Sequence, residues 1–172
     1  IEMWVKGSGG TLFSRDVSTN DGFIEFGFNS SIQFNGSAGL NTLSYTGIPN
    51  NVWTHVAAIY DGTNLSVIIN GSMVATASAS GLISASNAAN FLGRPAANNN
   101  NFNGALHHFR FWNSANTQNS IRANMFSSLN GDESGLLAQI LLNEGNGTSS
   151  VDNTLNGHNA DFAGDTQWIN SG

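Results

Sequence analysis

Residues 51–71, NVWTHVAAIYDGTNLSVIING, are the stretch that decides the fold. Residues 52–60 and 65–70 are short and rich in β-branched and aromatic side chains, which favours strands. The Asp61-Gly62 pair between them offers the positive φ angles that a tight hairpin demands. The stretch therefore predicts two antiparallel strands joined by a short turn.

The same pattern extends in both directions along the chain. Short alternating or apolar segments are separated by Gly- and Asn-containing turns, which is typical of antiparallel sheets. So many short strands do not fit one flat sheet, and two packed sheets are expected. The predicted strands are residues 1–6, 11–15, 22–28, 32–34, 40–45, 52–60, 65–70, 73–78, 90–93, 105–112, 136–142 and 159–162.

One segment has a different pattern. Residues 116–126 begin with Asn and Thr, which are good N-cap residues, and place Ile121, Met125 and Phe126 on one helical face. This predicts one short helix that covers part of the sandwich near Trp112.

Composition excludes several classes of protein. The 172 residues suit a single domain, residues 1–172, and no apolar run is long enough for membrane insertion. Charged residues make up 9% of the chain and Lys6 is its only lysine, so a basic surface for nucleic acid is not expected. No cysteine is present, which removes disulfides and thiolate sites and favours a bacterial source.

Three motifs carry a resemblance to a known family. They are the hairpin of residues 51–71, the pair of segments 91–94 (FLGR) and 102–113 (FNGALHHFRFWN), and the opening residues 2–6 (EMWVK). Their order and spacing resemble the laminin-G-like domains of the concanavalin A-type jelly-roll group, which includes the pentraxins.

The resemblance implies an all-β fold, a two-sheet antiparallel jelly-roll sandwich with one short helix. Family members have one more strand before the Trp-containing one, so the resemblance also implies that the first strand of the domain is missing at the N-terminus. The tail from residue 135 to residue 168 resembles the segment that closes such domains or opens the next one.

Catalysis is not expected. Retaining glucanases of this architecture carry Glu-x-Asp-x-x-Glu on one strand, and none of Glu2, Glu25, Glu133 and Glu144 is so spaced. Glu25 alternates with apolar residues on a predicted strand, which indicates a solvent-facing side chain.

The histidines do not predict a catalytic or metal site either. His55 lies within a predicted strand and is expected to be a buried, hydrogen-bonded structural residue. His107 and His108 should point to opposite faces of a regular strand, so they could not chelate one metal together.

A calcium site is one candidate. In pentraxins the turn after the second strand carries an Asp-Asn pair that binds calcium, and the matching turn here is residues 14–22. Asn20 and Asp21 stand at that place in inverted order, and Asp16 adds a carboxylate. The resemblance thus implies one Ca²⁺ held by these three residues; the alternative is an ordinary turn. Arg94 replaces the acids that would complete a double site.

A ligand-binding loop is the second candidate. Residues 94–102 are long for a hairpin connection, and long loops on rigid sandwiches are common binding sites. The loop offers donors and acceptors that suit sugar hydroxyls, and an insertion without a ligand is the alternative. Phe102 and Tyr45 are the candidate aromatic platforms, because the Trp residues sit in strand motifs. The donors and acceptors are those of Arg94, Asn98, Asn99, Asn100 and Asn101.

These observations predict a non-catalytic recognition module of a larger secreted or surface protein. Carbohydrate binding or adhesion, with or without calcium, leads. The alternative is a structural or protein-interaction spacer of a bacterial surface adhesin, and a glycoside hydrolase comes third. The expected partners are a glycan or an extracellular protein and the neighbouring domains of the same polypeptide.

Overall fold

The computed structural model describes residues 1–16 and 22–169, and their strands form two large antiparallel sheets and one small ladder. The six-stranded sheet has the order β11-β10-β1-β6-β7-β8 and the five-stranded sheet the order β5-β4-β3-β2-β9. The strands are β1 (Glu2–Ser8), β2 (Thr11–Arg15), β3 (Ile24–Gly27), β4 (Ser31–Gly36), β5 (Gly39–Ser44), β6 (Thr54–Tyr60), β7 (Asn64–Ile69), β8 (Ser72–Ser78), β9 (Asn90–Leu92), β10 (Asn103–Trp112), β11 (Leu136–Ile140), β12 (Ser149–Ser150) and β13 (Ala160–Asp161).

The predicted jelly-roll sandwich is confirmed. The hairpin that decides the fold is β6–β7, in which Val56 pairs with Ile69 and Tyr60 with Leu65. Every predicted strand overlaps an observed one, whereas the two-residue strand β12 was not predicted. It pairs only with β13, and its polar sequence carries no strand pattern.

The core lies between the two sheets and is built from aromatic and β-branched side chains. Phe13 of the five-stranded sheet stacks on Phe109 and Phe111 of the six-stranded sheet, with ring centroids 5.7 and 5.6 Å apart. Burial of each such side chain away from water stabilises the folded state by about 1.5–3 kcal/mol. Other fully buried core residues are Met3, Val5, Leu12, Phe26, Val56 and Val67.

The helix α1 (Gln118–Asn124) contacts the six-stranded sheet from its outer side. Its N-cap is Thr117, whose side chain accepts a hydrogen bond from the Ser120 amide, and its buried residue is Ile121. The expectation that Phe126 shares this buried face is wrong, because the helix ends before it and the side chain is 75% exposed. No helix of the described residues is long and apolar enough to span a membrane.

A buried polar network lies on that outer face. Arg110 Nη1 is 3.5 Å from Glu2 Oε1, and His55 Nε2 is 3.3 Å from Glu2 Oε2. Arg110 also donates to the carbonyl oxygens of Asn124 and Ser127, which ties the chain that follows the helix to the sheet. Burial alone would raise the pKa of Glu2, but His55 and the charge of Arg110 outweigh it and lower that pKa.

A β-bulge in β10 changes the predicted placement of two histidines. His108 has φ +55°, and the register of β1 with β10 shifts between Glu2 and Trp4. His107 pairs with Trp4, while His108 Nε2 lies 2.8 Å from Arg110 Nη2, and the two imidazole rings are 5.8 Å apart. The prediction of opposite faces is therefore wrong. Burial and the charge of Arg110 lower the pKa of His108 to about 4, so the neutral ring accepts this hydrogen bond.

The tail is fastened to the edge strand β11 by one carboxylate. Asp152 accepts hydrogen bonds from the Gln139, Thr154 and His158 amides at 2.9–3.0 Å and from the Thr154 hydroxyl at 2.7 Å. Burial would raise its pKa, but these hydrogen bonds lower it. The tail is thus held against the edge of the six-stranded sheet, where Ile140 and Asp152 form an isolated antiparallel bridge.

Arg110→Ala should lower the free energy of unfolding by about 3–5 kcal/mol, because it removes the permanently charged partner of the buried Glu2 carboxylate. Arg122→Ala, which removes an exposed arginine of α1, should cost less than about 1 kcal/mol. Urea denaturation measures both. Equal losses in the two variants would contradict the role given to the buried pair.

Asp152→Ala should loosen the tail while the sandwich stays folded. Loss of a carboxylate that accepts several hydrogen bonds is expected to cost about 2–3 kcal/mol, which corresponds to an increase of roughly 30- to 150-fold in local opening. Hydrogen exchange of the amides of residues 149–161 measures it, with the exposed Asp161→Ala as control. Unchanged protection in Asp152→Ala would show that other contacts hold the tail.

Candidate functional site

A row of side chains crosses the outer face of the five-stranded sheet. Ser14 pairs with Phe91 on one side and with Glu25 on the other. Glu25 pairs with Gln33, and Gln33 with Thr42. Because directly paired residues share one face of a sheet, these five side chains lie together on the side away from the core.

The loop after β9 covers part of this row and forms a cleft of about 220 Å³. We call it the sheet-face cleft. It brings together residues that are far apart in the sequence, such as Asp16, which directly follows β2, and Asn98 of the asparagine run. Its lining residues are Asp16, Phe23, Glu25, Gln33, Ala96, Ala97 and Asn98.

Glu25 is the acid at the floor of the cleft. It is half-buried, and its Oε1 is 3.5 Å from the Thr11 hydroxyl. Burial raises the pKa of Glu25, while the Thr11 hydrogen bond acts in the opposite direction. The side chain lies outside the core, in agreement with the predicted strand alternation, but it is half-buried rather than fully exposed to solvent.

The predicted loop residue Arg94 lies at the rim. Its guanidinium carbon is 4.5 Å from the centroid of the Phe91 ring, a cation–π contact. Its carbonyl oxygen accepts a hydrogen bond of 2.8 Å from the buried Ser14 hydroxyl. The start of the loop is therefore fixed to the outer face of the sheet.

The asparagine run forms an ordered loop. Asn98 Oδ1 accepts from the Asn100 amide at 2.9 Å, and the Asn100 carbonyl accepts from the Thr11 amide at 2.8 Å. Asn101 forms an isolated parallel bridge with Thr11. Asn98 lines the cleft, and Asn99 is exposed beside it in the sequence.

The two predicted aromatic platforms belong to the core. Tyr45 is 5% exposed, packs on Phe26 and donates its hydroxyl to the Gly27 carbonyl. Phe102 packs against the core with its ring 5.7 Å from that of Phe28. The prediction that Tyr45 offers an exposed platform to a ligand is therefore wrong. Phe102 is half-buried, and its ring packs against the core.

The predicted calcium ligands are only partly described. Asp16 has φ +62°, lines the cleft and accepts a hydrogen bond of 3.2 Å from the Ser86 hydroxyl. Asn20 and Asp21 lie outside the described residues. Within the described part of the chain no group of three or more His, Asp or Glu side chains is placed to hold a metal. Calcium binding stays a prediction.

A larger cavity, of about 550 Å³, opens at one end of the sandwich between the sheets. Its walls are mainly apolar, with Ile24, Phe34, Tyr60, Leu82 and Phe111 among them. The lining of the sheet-face cleft is instead mainly polar, with Asp16, Glu25, Gln33 and Asn98, and placed polar groups of this kind orient a ligand. We therefore take the sheet-face cleft as the candidate site.

Comparison with known families gives one match. The sequence profile of the Concanavalin A-like lectin/glucanases superfamily matches residues 1–122. Among curated proteins, none matches the chain.

Among the solved structures that share the fold are the following three. A "putative carbohydrate binding protein" from Bacteroides ovatus has 18% identity and a TM-score of 0.69, with 92% of this chain and 50% of that chain covered. Domain 4 of AbnA, a GH43 extracellular arabinanase of Geobacillus stearothermophilus in complex with arabinotriose, has 21% identity and a TM-score of 0.56, with 71% and 63% covered. A native heptameric SAP-like pentraxin of Limulus polyphemus has 20% identity and a TM-score of 0.52, with 70% and 66% covered. This chain thus spans 50–66% of the length of these structures.

Carboxyl-carbon NMR titration should separate Glu25 from the other glutamates. Burial raises its pKa above 4.5, whereas the pKa values of Glu2, Glu133 and Glu144 lie below that value because hydrogen bonds or charges outweigh burial. Glu133, whose carboxylate accepts from the Asn130 and Gly131 amides, serves as the internal control. A Glu25 carboxyl that titrates with or below Glu133 would mean that water reaches the floor of the cleft freely.

Proposed function

Because this chain belongs to the Concanavalin A-like lectin/glucanases superfamily, we propose that it is a non-catalytic carbohydrate-binding module whose ligand occupies the sheet-face cleft. One observation carries the proposal: Glu25, Gln33 and Asn98 meet in a cleft on a rigid sheet. Sites on packed strands hold their side chains in place better than sites on loops alone.

The chemistry of the cleft suits sugar hydroxyls. A carboxylate accepts several hydrogen bonds, and each amide side chain both donates and accepts. Apolar groups of Phe23, Ala96 and Ala97 line the same space and can contact the C–H faces of a sugar ring. A cleft of about 220 Å³ has room for a small part of a glycan, which favours recognition of one or two sugar units within a longer chain.

The similar structures support this class of ligand. The Bacteroides ovatus protein is described as carbohydrate binding, and the Geobacillus stearothermophilus domain is in complex with arabinotriose. These are properties of those proteins. They make short neutral oligosaccharides, arabinotriose among them, sensible first probes for this chain.

The absence of catalysis is part of the proposal. Retaining glycosidases place two carboxyls about 5–5.5 Å apart across the bond that they cleave. The strand β3, with the sequence Ile24-Glu25-Phe26-Gly27, carries a single acid, and the Glu-x-Asp-x-x-Glu pattern of the glucanases is missing from the sequence.

The likeness to longer proteins supports a modular context. We propose a module of a larger secreted or cell-surface bacterial protein, in which neighbouring domains are partners and glycan adhesion is the role. Calcium assistance through Asp16, Asn20 and Asp21 is a separate proposal that the same binding measurement tests.

On a glycan array, Gln33→Ala should weaken binding about three- to tenfold, because it removes hydrogen bonds worth about 0.5–1.5 kcal/mol. Gln167→Ala removes the same side chain from an exposed position of the tail and should bind as the parent does. Each protein is assayed with calcium and with a chelator. Binding that chelation abolishes would support the calcium proposal, and equal binding would oppose it.

Two other outcomes would replace the proposal. A folded protein that binds nothing on a broad array would favour the structural or protein-interaction spacer of a surface adhesin. Release of shorter sugars from any polysaccharide would favour a glycoside hydrolase.

A further inference from the structure

The charges that line the sheet-face cleft have one sign. Asp16 and Glu25 are the charged residues in its lining, and none of the described lining residues is Lys or Arg. A ligand in the cleft therefore meets negative charge.

None of the described Lys or Arg side chains lines the cleft. Arg15 donates to the carbonyls of Gly22 and Ser84 and interacts with the charge of Asp16, whereas Arg110 is buried against Glu2 on the other sheet. The exposed Lys6 also belongs to the six-stranded sheet, and Arg122 lies on α1.

Arg94 stands two residues before Ala96, at the start of the loop that lines the cleft. Its guanidinium lies over the Phe91 ring, and its backbone carbonyl is held by the Ser14 hydroxyl. It does not belong to the residues that line the cleft. It therefore does not neutralise the Glu25 carboxylate at the floor.

The partial burial of Glu25 strengthens the effect of its charge. Between charges about 4 Å apart, the interaction is about 1 kcal/mol in bulk water and about 4 kcal/mol at the effective dielectric constant of a protein surface. Salt screens partly buried charges less than exposed ones. The raised pKa of Glu25 has the same cause, because burial removes water from around the carboxylate.

We propose that the cleft selects uncharged glycans over glycans that contain uronic acids, and that Glu25 sets this selectivity. The inference rests on the proposed carbohydrate-binding function and adds the class of sugar. The Glu25 carboxylate accepts hydrogen bonds from the hydroxyls of a neutral sugar, with the Gln33 and Asn98 amides beside it. A uronate brings a carboxylate that finds no donor of opposite charge in the lining. It is repelled by Glu25, and more weakly by Asp16, whose charge Arg15 partly offsets.

The test uses matched pairs of polysaccharides on one array: galactan with polygalacturonate, mannan with polymannuronate, and xylan with glucuronoxylan. Binding is measured at pH 8, with a chelator and with calcium, for the parent chain, Glu25→Gln and Asp132→Asn. Asp132 is exposed and lies outside the cleft lining, so its substitution matches the change in net charge. Asp16→Asn is a second cleft variant, because Asn tolerates the positive φ of that position.

We expect the parent chain to bind the neutral member of a pair at least tenfold more tightly than the uronate member. Glu25→Gln should reduce that ratio at least threefold, Asp16→Asn should reduce it less, and Asp132→Asn should leave it unchanged. Thermal melting of each variant shows that it is folded.

A parent chain that binds uronates as tightly as neutral glycans, or more tightly in calcium, would overturn the selectivity and leave the carbohydrate-binding function standing. A ratio that Glu25→Gln does not change would overturn the role of Glu25. No binding to any member of any pair would overturn the proposed function itself.

Discussion

The two-residue period of an extended strand is the constraint on which the structure depends. Every strand of the sandwich has one face committed to the core, because aromatic residues such as Phe13, Phe26 and Phe34 fill the space between the sheets. The side chains on the opposite face are therefore available for polar contacts and for ligand binding. A shift of one residue in any pairing would exchange the two sets of side chains, so the packing of the core also fixes which polar groups meet outside.

The two outer faces have been used in different ways. On the six-stranded sheet, a helix and the chain after it cover the buried polar groups around Arg110, which lock that layer in place. On the five-stranded sheet, a loop covers only part of the polar row that includes Glu25 and Gln33. One face has become part of the interior, and the other keeps polar groups within reach of a ligand. The candidate site follows from this difference.

Much of the fold was predictable because its signals are local. Alternation and turn residues defined the hairpins. Alternation also predicts the burial of Tyr45, which directly follows β5 and is two residues from the buried Leu43. The bulge at His108 was not predictable, because a regular strand was assumed and the positive φ depends on packing. The pairing of Glu25 with Gln33 was not predictable either, because it depends on the register between β3 and β4. Asp16 and Asn98 are 82 positions apart, and only the tertiary fold brings them to the same cleft.

The edge strand β11 shows that the folded unit extends beyond the residues that the family profile matches. The match ends at residue 122, yet β11 pairs with β10 along the border of the six-stranded sheet, and Gln139 Oε1 accepts from Arg110 Nε. A chain shortened to residue 122 would present the bare backbone of β10 to its surroundings. Bare edges of this kind recruit strands from other molecules, so such a fragment is expected to self-associate and precipitate.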